Sequence, residues 1–150
     1  MPLSASVFGV MSRIFGVFHL DTLSERCARA AVDRAPDCAI AWHQLFVLAA
    51  ERAATVPPDV EAEQEALSAI QRACQAAPSS FMYARALVCY LSYLGRIDDA
   101  LAYADSWIRK EPDSGRRLVG IVEQYRAGST RGRSKDECCC EEHDPKHQSQ

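Results

Sequence analysis

A chain of 150 residues, 48% hydrophobic and 25% charged, can bury one core but not several. Its 17 Lys and Arg against 20 Asp and Glu leave a net charge of −3. No basic stripe with interleaved aromatics appears, which argues against a nucleic-acid partner. Arg outnumbers Lys, Ala is abundant and Asn is absent, a bias that reads as the imprint of a GC-rich, bacterial coding sequence.

Seven helices are predicted in chain order. The first spans 6–18 within SASVFGVMSRIFGVFHL, an apolar run that invites a reading as a signal peptide or anchor. It lacks a positive leader and a small-x-small cleavage site, and it is too short to span a bilayer. Val7, Met11, Ile14 and Phe18 form one stripe with Phe8 and Phe15 beside it. Gly9 and Gly16 predict a loosely docked helix. Three readings stay open for it: a first repeat helix whose register makes Phe8, Met11 and Phe15 core, a helix lying on a membrane surface or a partner, or a secretion signal. The second helix, 21–34, puts Leu23, Cys27, Ala30 and Ala31 on one stripe. Asp21 or Thr22 is the expected N-cap, with Glu25 completing a capping box.

Helices 39–53 and 60–76 follow, separated by a loop whose Pro57-Pro58 pair forces extended backbone. Glu61, Glu63 and Glu65 sit near the positive end of the 60–76 dipole. Helices 81–94 and 97–110 come next, the latter opening on Asp98-Asp99. A last helix, 115–127, carries Arg116, Arg117, Glu123 and Arg126 and suits a terminal cap. No stretch shows sustained strand alternation, so the fold class is all-α.

One spacing recurs through these segments. Ala28, Ala31 and Pro36 are echoed by Ile70, Ala73 and Pro78, then by Ala104, Trp107 and Pro112. The offset is 34 residues from Phe8 to Trp42, 42 from Trp42 to Ala84, and 34 from Pro78 to Pro112. Such a period marks stacked helix pairs. The pattern resembles the tetratricopeptide repeat family, best over Leu94 to Pro112 and at Trp42 with Leu45. Ser24 stands where Ala66 and Ala100 stand in the later units. Phe46 and Val88 replace the small residues that the family places beside Leu45 and Leu87, so packing there must be looser or differently tilted. The resemblance implies an α-solenoid over residues 5–127, with repeats at 5–38, 39–80 and 81–114, a capping helix at 115–127 and a flexible tail at 128–150. Trp42, Leu45, Ala66, Ala73, Leu87, Ala100 and Trp107 are expected between helices.

The seven cysteines fall into two groups. Cys27, Cys38, Cys74 and Cys89 occupy helical positions and suit small core residues in a reducing, cytoplasmic setting. Cys138, Cys139 and Cys140 lie in a polar, turn-rich tail predicted to be disordered. With His143 and His147 they are weak candidates for a soft metal, since the spacing of structural zinc sites is missing. Acylation or oxidation of these thiols is the other option.

No phosphate-binding glycine loop, H-E-x-x-H or G-x-S-x-G motif occurs, so no enzyme and no cofactor are expected. What remains is a binding scaffold. In the register that the resemblance implies, Arg13, Ile40, His43, Val47, Glu51, Met82, Arg85, Cys89, Tyr93 and Arg116 line a concave groove. His43, Val47, Met82, Arg85 and Tyr93 are the candidate partner-binding residues, suited to a peptide or protein segment with apolar anchors and some acidic character. Family members that clamp a terminal carboxylate use Asn and Lys, whereas this chain has no Asn and only Lys110, Lys135 and Lys146. The leading expectation is a non-catalytic adaptor. The alternative is a metal-handling or redox protein acting through the tail. Self-association through the open repeat ends is the third possibility.

Overall fold

The structure is a computed structural model that describes residues 4–17 and 20–128, without the side chain of residue 6. The described residues form seven helices and no strand: α1 (Ala5–Val17), α2 (Asp21–Arg34), α3 (Ala39–Ala53), α4 (Val60–Ala76), α5 (Phe81–Tyr93), α6 (Ile97–Ile108) and α7 (Pro112–Gly128). Each helix packs on the next in sequence, α1 also packs on α3, and α5 on α7. No comparable pairing joins α3 to α5.

Small residues set the close contacts. Ser24, Ala66 and Ala100 are all fully buried. Leu45, Ala73, Leu87 and Trp107 are buried as well. The largest cluster gathers Ile70, Ala73, Leu87, Val88, Leu91, Ala104, Trp107, Leu118 and Val122 from α4 to α7. A second joins Ala28 and Ala31 of α2 to Ala41 and Leu45 of α3. Between α5 and α6 the chain reverses through a Schellman turn. Gly95 takes φ +76°, its N–H donates to the Ser92 carbonyl, and the Arg96 N–H donates to Leu91.

Four sequence expectations need correction. The expected α1 core, Phe8, Met11 and Phe15, is only half-buried; Val7 and Ile14 are exposed, and Gly9 and Ser12 are the buried positions. Its glycines permit close docking: a Cβ on Gly9 would lie 3.3 Å from Cys38 Sγ, and one on Gly16 2.6 Å from Gln44 Nε2. The Ser12 hydroxyl donates to Gly9 O at 2.7 Å, and the Ser24 hydroxyl donates to Ser12 O at 2.7 Å. Second, no side chain caps α2. Leu20 holds the N-cap position and Asp21 is already helical, while Glu25 pairs with Arg29 at 2.7 Å and Arg52 at 3.2 Å.

Trp42 is half-buried instead of enclosed. Its indole N–H needs an acceptor and finds the Pro36 carbonyl at 2.7 Å in the preceding turn. Finally, the terminal helix starts at Pro112 and not at residue 115. Proline is favoured in the first helical turn, where its missing N–H leaves nothing unsatisfied.

The α6–α7 contact is close at Gly115. A Cβ on Gly115 would fall on the backbone N and Cα of Ile108, which cannot rotate away. Gly120, in the same helix, has nothing within 4 Å of its Cβ position. Gly115→Ala is therefore expected to destabilise by about 1–3 kcal/mol. Gly120→Ala is expected to stabilise by about 0.5–1 kcal/mol through helix propensity. Urea unfolding of the two variants checks the opposite signs, and a stable Gly115→Ala would contradict the packing described.

Candidate functional site

A cleft of about 290 Å³ lies between α1 and α3. Arg13, Gly16, Val17 and Asp21 line one side, and His43, Gln44, Val47, Leu48 and Glu51 the other. The α3 residues share the cleft because helical steps of three and four bring 43, 44, 47, 48 and 51 onto one face. The lining is mixed: Arg13 is its one cation against the carboxylates of Asp21 and Glu51, and Val17, Val47 and Leu48 are apolar.

Beside the cleft, aromatic rings bridge α3 to α5. The His43 ring lies 5.3 Å from Tyr83 and 5.9 Å from Phe46. Phe46 meets Tyr90 edge-on at 5.2 Å, and Tyr90 stacks on Tyr93 at 6.2 Å. These are favourable aromatic separations. Burial, joined by the charge of Arg13, lowers the His43 pKa and favours the neutral imidazole. Burial first, then Glu63 and Tyr93, pushes the Tyr90 phenol up to about 12, and its hydroxyl donates to the Glu63 carbonyl at 3.4 Å.

Of the five candidate residues, His43 and Val47 stand in the cleft wall, and both are half-buried. Tyr93 is exposed and joins them through Tyr90 and Phe46. Met82 is exposed and Arg85 half-buried on α5, outside the cleft lining. Gln44 and Asp21 were not singled out for the site by the sequence reading. Gln44 carries no signal of its own in the sequence, because its place depends on the close approach that Gly16 allows. Asp21 was absorbed by its resemblance to a helix cap.

No group of three or more His, Cys, Asp or Glu among the described residues could hold a metal ion. Cys138, Cys139, Cys140, His143 and His147 lie outside the described residues. Cys27, Cys38, Cys74 and Cys89 form no disulfide with one another; Cys74 is buried, and burial raises its pKa. No helix of the described residues is long and apolar enough to cross a membrane. Compared with models of known protein families and with curated proteins, the chain matches none.

The depressed His43 pKa has a definite sign in stability. Below its ordinary value of 6.5 the unfolded chain binds a proton that the folded chain resists. Its contribution is complete above that pH and is lost as pH falls through the folded value. The parent should therefore lose melting temperature between pH 7.5 and 5.5 faster than His43→Phe, which cannot titrate. Parallel slopes in differential scanning calorimetry would contradict the placement of His43 among Phe46 and Tyr83.

Proposed function

We propose that this protein is a non-catalytic scaffold, acting in the cytoplasm, that holds a peptide or protein segment. In this reading it is a short α-solenoid of the tetratricopeptide type, and the segment lies along α1, α3 and α5. One observation carries the proposal: α3 and α5 are bridged by rings and not by close backbone, next to a cleft of mixed lining. Aromatic side chains give large, rigid contact area with a polar tip, and Arg and Tyr are favoured anchors at interfaces. Val47 and Met82 offer apolar seats, while Arg13 and Arg85 offer cationic ones. The fully buried column at Ser24, Ala66 and Ala100 supports the repeat register from which the groove was projected.

A displayed random-peptide library selected against the immobilised intact chain supplies the probe. Calorimetry then compares the best peptide on the parent, on Val47→Glu, and on the double variant Arg85→Ala with Tyr93→Ala. Each variant is expected to weaken binding tenfold or more, a loss of about 1.4 kcal/mol. Circular dichroism verifies that both remain helical. Unchanged affinity in folded variants, or selection that yields no binding peptide, would refute the groove as a site.

A further inference from the structure

The charges of the α1–α3 cleft are sorted along its length. The two helices run in the same direction, since Gly9 lies against Cys38 and Ile40 while Gly16 lies against Gln44. Arg13 stands at the end near His43, whose imidazole feels its charge. Asp21, just past the end of α1, and Glu51, two turns beyond His43, stand at the other end. Val17 and Val47 line the cleft as well, each four residues on from Arg13 and His43. Arg13, Asp21 and Glu51 are all exposed, and no ion pair among the described residues takes up any of them.

Gln44 points to a ligand on separate grounds. It is 7% exposed, and its carboxamide reaches across from α3 to Gly16 in the opposite wall of the cleft. Among the described residues no hydrogen bond takes up this carboxamide. Buried polar groups are ordinarily paired, and a carboxamide both donates and accepts. A second amide, such as the main chain of a peptide, meets both needs at once. Spacing then selects the form of the occupant. His43, Val47 and Glu51 recur every four residues, about 6 Å per step along α3. Alternate side chains of an extended chain share one face and recur about every 6.6 Å. Five extended residues therefore reach from the cationic end to the anionic end. A single amino acid, about 3.5 Å long, is too short. A helix, about 10–12 Å across, is too wide for a cleft of about 290 Å³.

We propose, resting on the peptide-binding reading of the groove, that the cleft holds an extended peptide segment of the pattern acidic-x-apolar-x-basic, in one chain direction or the other. The acidic side chain meets Arg13, and the apolar one sits on Val17 and Val47. The basic side chain meets Asp21 and Glu51, while the main chain between them pairs with the Gln44 carboxamide.

Titration of four blocked peptides into the isotope-labelled intact chain, followed by two-dimensional NMR in low-salt buffer, tests this. Two carry opposite ends, acetyl-Glu-Ser-Leu-Ser-Lys-amide and the reversed order. Two carry like ends, with Glu at both or Lys at both. The better of the first two is expected to bind about fivefold more tightly than either like-ended peptide, because an ion pair is exchanged for a like-charge contact. Arg13→Glu should invert the order, so that the peptide with two Lys binds tightest. Glu51→Lys should raise the peptide with two Glu above the one with two Lys. Both positions are exposed, and circular dichroism verifies folding. Gln44→Met keeps the side-chain length and removes the amide. It should weaken every peptide about fivefold and leave their order and the melting temperature unchanged or the latter raised. Equal affinity of the four peptides, or an order that neither charge substitution moves, would overturn the proposal. Library-selected peptides that still shifted His43 and Val47 would then leave the groove standing. Absence of binding by defined and selected peptides alike would overturn both readings together. Unchanged affinity on Gln44→Met would overturn the main-chain contact.

Discussion

Close approach of helix backbones is possible only where side chains are small, and that constraint governs this chain from end to end. At Ser24, Ala66 and Ala100 the column is fully buried. At Gly115 even one methyl would strike the neighbouring backbone. Between α3 and α5 the facing side chains are large, and Phe46, Tyr83 and Tyr90 meet ring to ring with His43. Close backbone packing is interrupted there by side chains too big for it. The proposed groove lies at that interruption.

Polar contacts brace the outside without adding much burial. Glu25, Arg29, Glu65 and Arg52 close a ring of four ion pairs that ties α2, α3 and α4 together at 2.5–3.2 Å. Such pairs are worth about 0.2–1 kcal/mol each when partly exposed, and a ring shares the entropy cost among them. The Arg29 hydrogen bond lowers the Glu25 pKa, aided by Arg52, so this brace is present at neutral pH and weakens in acid. Three arginines also lie over aromatic faces: Arg34 on Phe8 at 4.5 Å, Arg72 on Trp42 at 5.8 Å and Arg117 on Phe81 at 4.7 Å. Each shields a large residue near the start of an odd-numbered helix, where the apolar ring would otherwise face water.

The helices were legible because proline stops and apolar periodicity act locally. All seven exist, and six begin within one residue of the sequence estimate. The exception, α7, reflects a second use of proline: Pro112 was read as ending a helix but also opens one. Caps were less legible, because Asp21 and Glu25 can serve either a helix end or a distant arginine, and Arg52 becomes a neighbour only after folding. The face of α1 was legible only in part from hydrophobicity: Phe8, Met11 and Phe15 are half-buried, and Phe8 packs on the α2–α3 cluster. Gly9 and Ser12 won the inner position because they allow α1 to lie close to α2 and α3, a tertiary criterion. Within the site, His43 and Val47 were legible from register. Gln44 was not, since its place depends on the missing side chain of Gly16.

The central claim is that the interruption between α3 and α5, with the cleft beside it, is where a partner sits. Backbone amide chemical shifts, followed by two-dimensional NMR while a library-selected peptide is added, test it most directly. The account predicts shifts concentrated at His43, Val47 and Tyr93, with α2, α4 and α6 little changed. Shifts concentrated on the outer faces of α2 and α6, with His43 and Val47 unmoved, would contradict it.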